Sequence, residues 1–136
     1  MDILELIKIR ASIRKYRKKL VPKNIIDKIL QAGLWGPAIH HFQPWKFVVV
    51  TDRKLIKKIS VLTQKKRVEI NSPNFILYPT ISTLCSANLI LCIYNTKDFS
   101  KSIKKYNNKI YKNFEIAEIS AISACIQNMI LEIENL

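Results

Sequence analysis

Glycine is scarce in this chain: among 136 residues there are two, Gly33 and Gly36. A Walker loop and a G-x-G-x-x-G turn both need several glycines for close backbone approach to phosphate, so a glycine-rich phosphate cradle is excluded. Any phosphate must be gripped by side chains. Histidine is as rare, with His40 and His41 adjacent and no second cluster of ligand-type residues at metal spacing, so no metal site is expected. The three cysteines, Cys85, Cys92 and Cys125, form no C-x-x-C pair and are an odd number. Neither a disulfide framework nor a zinc site follows, and buried, reduced thiols are expected. There is no G-x-S-x-G elbow for a Ser-His-Asp hydrolase. No apolar run reaches the roughly 20 residues of a bilayer span, and MDILELIKIR lacks a long secretory core, so a cytoplasmic protein with no membrane partner is expected.

Positive charge is plentiful, with 23 Lys and Arg against 10 Asp and Glu and a net charge of +13. Such a chain can bind nucleic acid by displacing counterions from phosphates. The excess is mostly lysine scattered through an Ile-, Lys- and Asn-rich sequence, and no nucleic-acid motif accompanies it, so a solvated basic surface is the better reading.

Helices and strands alternate along one expected domain, residues 1–136. Ile3, Leu6 and Ile7 share one side of a helix over 2–9. Pro22 suits the first turn of a second helix carrying Ile25, Ile26, Ile29 and Leu30, ended by Gly33 and the Gly36-Pro37 break. Phe47 and three valines in 46–51 read as a buried strand, and Asp52 caps a helix around Leu55, Ile56 and Ile59. Residues 67–83 look irregular, Leu89–Tyr94 is a second apolar strand, and 96–113 is polar surface with room for a short helix. From Glu115 to Leu136 apolar and small residues cover so much of the wheel that a central, buried helix is expected. The elements sum to an α+β architecture of helices packed on a small sheet.

Two stretches carry chemistry. In IRASIRKYRKK an extended backbone sends Arg10, Ser12 and Arg14 to one face and Ala11 to the other, so two guanidinium forks and a hydroxyl converge in a set suited to phosphate. In GPAIHHFQPWKFVVV a proline-bearing loop with two histidines precedes the strongest strand signal. Pro44 is expected to stiffen the start of that strand and Trp45 to fill the core.

Arg-x-Ser-x-Arg near the start, a helix ending in a small-residue loop, Gln43-Pro-Trp-x-Phe-Val-Val-Val50, and Ala124-Cys-Ile-Gln-Asn-Met-Ile-Leu131 together resemble the nitroreductase family of flavin mononucleotide (FMN) enzymes. The likeness covers most of the chain, with 96–113 matching poorly. It implies a three-layer α/β/α sandwich around a small mixed sheet. It further implies a homodimer in which FMN passes reducing equivalents from NAD(P)H to a small-molecule acceptor such as a nitro compound or a quinone. It assigns Arg10, Ala11, Ser12 and Arg14 to FMN, and Pro37, Ala38, Ile39 and His41 to the flavin of the other subunit. The family's usual Pro-Ser is Pro37-Ala38 in this chain, and its usual asparagine is His41, whose imidazole still donates an N–H. The likeness also implies a C-terminally truncated member, with the last part of the usual fold missing. Besides an oxidoreductase, a flavin-binding remnant without turnover and a basic nucleic-acid-binding protein are open readings.

Overall fold

The computed structural model describes residues 2–69, 81–105 and 108–136. Helix α1 (Ile3–Ile9) follows Asp2, and α2 (Lys23–Leu34) follows Pro22, which takes the N-cap with φ −62° rather than a place in the first turn. A 3-10 turn, Ile39–His41, leads to β1 (Trp45–Val50). The Asp52 carboxylate then accepts the backbone N–H of Lys54 at 2.7 Å and starts α3 (Arg53–Glu69), as an N-cap should. Residues 81–86 form α4, followed by β2 (Ile90–Asn95), α5 (Asp98–Lys104) and α6 (Asn108–Asn135). Of the stretch 67–83 read as irregular, 67–69 and 81–83 are helical, and 70–80 lies outside the described residues.

The architecture is α+β. Strands β1 and β2 pair as a two-stranded sheet, and the Thr96 N–H donates to the Pro44 carbonyl at 2.8 Å, joining the end of β2 to the start of β1 as antiparallel strands do. Trp45 and Val50 are buried, but Val48 and Val49 are exposed, so β1 is half-buried rather than the fully buried strand its valines suggest.

The chain divides into two compact units. One comprises Met1–Arg10, Pro22–Phe47 and Ile93–Leu136. In it α1, α2, α5 and the 3-10 turn pack on α6, and Leu6, Ile26, Ile29, Trp45, Ala121, Cys125 and Met129 supply its core. Burial alone pushes the Cys125 thiol up from its ordinary pKa, because the thiolate would be desolvated. Buried Glu118 of α6 accepts hydrogen bonds from the Ser100 backbone N–H (2.9 Å), the Ser100 hydroxyl (2.8 Å) and Asn95 Nδ2 (3.3 Å). It thereby satisfies a donor in the first turn of α5, where a carboxylate is favoured by the helix dipole.

The expectation of a wholly buried C-terminal helix is corrected by α6: Ile116, Ile119 and Ile133 are each at least half exposed. Over Ile110–Asn135 this helix is also long and apolar enough to cross a bilayer by length and composition. Interspersed Glu and Ser interrupt every apolar run along it without making the whole polar, so the lack of a 20-residue run and the apolar average describe the same helix. The other unit comprises Ala11–Val21 and Val48–Cys92, with Val50, Ile56, Ser60 and Ile81 buried within it.

Candidate functional site

The loop between α2 and β1 is the most tightly specified irregular segment of the first unit. Gly36 lies against α6 so closely that a Cβ there would sit 2.8 Å from Cys125 Cα, a backbone atom that cannot swing aside. Only glycine fits such an approach. A Cβ on Gly33 would meet Met129 Sδ at 2.9 Å, a side chain with more freedom to shift. The Gln43 amide reaches back to the Leu34 carbonyl at 2.9 Å and satisfies an acceptor in the last turn of α2. Phe42 stacks on Phe99 with centroids 4.9 Å apart, Phe99 meets Phe114 edge-on at 4.9 Å, and Pro44 is fully buried.

Within that frame the backbone is strained. His40 has φ 47° and His41 φ 58°, two consecutive non-glycine residues in the left-handed region. Each costs on the order of 1 kcal/mol, and such conformations persist where surrounding contacts over-determine them, commonly at ligand sites. Asparagine visits this region readily, which gives a backbone reason for the family's preference at position 41.

The strained turn borders an open concavity of about 480 Å³, in which Pro37, Ala38 and Ile39 face Ala117, Ser120, Ala121 and Ala124 of α6. Small side chains on successive turns leave a flat apolar shelf with one hydroxyl. Thus Pro37, Ala38 and Ile39 are brought together, whereas His41 is exposed in the loop and does not line the shelf.

The second predicted stretch is built differently. Arg10 is the C-cap of α1, half-buried, with its N–H donating to the Leu6 carbonyl at 3.1 Å. Residues 11–16 follow without helix or strand, all exposed. They are held by main-chain anchors: Tyr16 Oη donates to the Ile13 carbonyl at 3.1 Å, and Ser86 Oγ to that of Arg14 at 3.5 Å. No ion pair involves Arg10 or Arg14 among the described residues.

A third group escaped the sequence reading. Lys18, Arg53, Lys57, Ser60, Gln64 and Cys85 line a cavity of about 410 Å³ in the second unit. Its signal was present in α3, where Arg53, Lys57, Ser60 and Gln64 recur at one-turn spacing on one face.

Solved structures place this fold among known ones. The chain superposes on a BluB-like flavoprotein from Clostridium difficile 630 with a TM-score of 0.77 and 23% identity, covering 97% of this chain and 69% of that one. It superposes on a protein described as a nitroreductase in complex with FMN, from Desulfovibrio desulfuricans, with a TM-score of 0.68 and 25% identity, covering 98% of this chain and 62% of that one. The architecture is therefore the nitroreductase-like α+β fold. The nitroreductase family model matches residues 7–136, and the chain belongs to that family.

Among curated relatives, a protein named NADH dehydrogenase/NAD(P)H nitroreductase from Methanothermobacter thermautotrophicus is 51% identical over 59 residues, 43% of this chain and 31% of the relative. Iodotyrosine deiodinase 1 of Rattus norvegicus is 36% identical over 70 residues, 52% of this chain and 24% of the relative. The matched stretch thus spans about a third or less of each of these relatives.

Proposed function

We propose that this protein binds FMN and acts as a cytoplasmic oxidoreductase, passing reducing equivalents from NADH or NADPH to an electron-poor small molecule such as a nitro compound or a quinone. The observation that carries the reading is the strained 36–44 loop, locked to α6 by Gly36 and Gln43 and set beside an apolar shelf. A flat ring cofactor needs apolar surface against its face and a few donors at its edge. The shelf of Ala117, Ala121 and Ala124 with Pro37, Ala38 and Ile39 fits the first need, and the exposed His41 imidazole the second.

Arg10, Ser12 and Arg14, with Ala11 between them, would hold the phosphate and ribityl end, the arginines through charge-assisted forked hydrogen bonds. Bound FMN would supply the hydride and electron transfer, which is why the chain needs no nucleophile or acid–base set of its own. Its residues bind, orient and exclude water from the ring.

The reading includes a homodimer. Trp35 is 81% exposed, Ile3 65% and Ile116 62%, and all three belong to the unit that bears the shelf. Large exposed apolar side chains are the material of an interaction face when they cluster, and on the family resemblance the flavin held by Arg10, Ser12 and Arg14 of one copy is covered by Pro37, Ala38 and Ile39 of the other.

The test is spectroscopic. Protein loaded with FMN should lose visible flavin absorbance on anaerobic addition of NADH or NADPH and regain it when a quinone is added. Bound flavin that NAD(P)H does not bleach would identify a flavin-binding remnant, and folded protein that takes up no flavin would overturn the proposal.

A further inference from the structure

The cavity of the second unit is not accounted for by the flavin reading, since its lining includes none of Arg10, Ser12, Arg14 or the 37–41 loop. It is walled by Tyr16 and Lys18, by one face of α3, and by 85–87. Its charge is one-sided: Lys18, Arg53 and Lys57 line it and no carboxylate among the described residues does. Three lysines elsewhere pair with carboxylates, Lys23–Asp27 at 2.6 Å, Lys66–Glu69 at 2.9 Å and Lys97–Glu115 at 2.7 Å. No ion pair engages the three cavity cations among the described residues.

One of these cations is fixed in advance. Arg53 donates to Oδ1 of buried Asn88, whose own amide donates to the Arg17 carbonyl, so a buried polar side chain holds the guanidinium and the 16–18 wall in one arrangement. An amide partner positions arginine without cancelling its charge, leaving the remaining N–H groups for an anion. The rest of the lining is mixed: Ser60, Gln64 and Ser86 offer polar atoms, while Ile56, Val61, Ala87 and the Tyr16 ring offer apolar contact. At about 410 Å³ the space is in the range of small-molecule sites.

We propose that this cavity binds a phosphate ester carrying a planar ring, of mononucleotide size, as a second site independent of the flavin residues. The phosphate sits among Lys18, Arg53 and Lys57, and the ring lies against Tyr16 and the aliphatic wall of α3.

Cys85 provides a local reporter, because its thiol is exposed and lines the cavity, whereas Cys125 is buried. The experiment follows alkylation of each cysteine by neutral iodoacetamide, resolved by peptide mass spectrometry, with AMP as the probe ligand and inorganic phosphate at equal concentration as its comparison. AMP is expected to slow Cys85 alkylation at least fivefold, more than phosphate does, and to leave Cys92 and Cys125 unaffected. Lys57→Gln and Arg53→Gln should each remove most of the protection, while Arg10→Ala should retain it. The lysine variant removes no side-chain hydrogen bond among the described residues, so it keeps the test decisive if loss of the Asn88 contact unfolds the arginine variant. No slowing by AMP, equal slowing by inorganic phosphate, or slowing that survives Lys57→Gln would overturn the proposal. So would Cys85 protection by FMN that Arg10→Ala abolishes, which would make the cavity part of the flavin site while leaving the proposed oxidoreductase function standing.

Discussion

Residues 10–17 and residues 35–44 both follow a helix, both lack regular structure over most of their length, and both are assigned to flavin, yet they are held in opposite ways. The later segment is fixed through its own side chains and its glycine: Gly36 against Cys125, Gln43 on Leu34, Phe42 on Phe99, and Pro44 buried. The earlier one is tied down largely through main-chain carbonyls, at Ile13, Arg14 and Arg17, leaving the charged side chains of 14–17 in solvent. A rigid wall and an adaptable cationic clamp are different tasks, and they leave different marks. Substitutions in the wall should register as lost stability, and those in the clamp as lost affinity.

The largest effect is expected at Gly36→Ala, where the new methyl meets α6 backbone. It should cost about 3 kcal/mol in thermal or urea unfolding, the upper part of the usual overpacking range, and more than Gly33→Ala, where Met129 can shift. Equal losses at the two glycines would mean that the loop yields as readily as a side chain, and the contrast would fail. Next comes Arg10→Ala, which should weaken FMN binding by about 2 kcal/mol, or roughly thirtyfold, while unfolding changes by less than about 0.5 kcal/mol. Gln43→Ala should cost about 1 kcal/mol by leaving the Leu34 carbonyl without its partner, and FMN titration of that variant would show whether the wall acts at a distance. His41→Asn should change stability by a few tenths of a kcal/mol in the favourable direction, because asparagine tolerates positive φ. A clear loss there would assign His41 contacts that outweigh its strain.

The smallest effect lies outside both segments and serves as their control. The hydrogen bond from Lys97 and the lysine's charge hold the Glu115 carboxyl below the usual carboxylate range, and Glu115 holds Lys97 above its own. A depressed carboxylate stabilises the fold above its unfolded pKa, and that contribution fades as pH falls through the lower folded value. Thermal melts of Glu115→Gln should therefore show a small deficit at neutral pH that vanishes in acid. A deficit that persists below the carboxylate range would have another origin.

Much of the fold was legible because burial imposes periodicity. Ile26 and Ile29 fall on the buried face of α2, and Asp52 caps α3 as its side-chain chemistry requires. What was not legible depends on partners distant in sequence. The stretch 96–113 reads as polar surface with room for a short helix, but nothing in it says that the first turn of that helix, α5, is satisfied by Glu118, 18 residues beyond Ser100, or that its Phe99 lies between Phe42 and Phe114. No local pattern announces such pairings. The exposure of Ile116 and Ile119 was hidden for the converse reason, since an apolar residue does not state whether its partner belongs to the same chain. At the site, the shelf residues Pro37, Ala38 and Ile39 were readable from the family pattern, whereas the positive φ of His40 and His41 was not, because nothing in a histidine's side chain demands it.

The central claim is that the Arg10 to Arg14 segment grips flavin, and FMN titration of the purified, folded protein beside two single variants tests it most directly. The account predicts saturable binding that Arg10→Ala weakens roughly thirtyfold and that Lys28→Ala, at an exposed position of α2 outside both sites, leaves unchanged. Equal affinity for FMN in both variants, with unfolding midpoints unaltered, would contradict it.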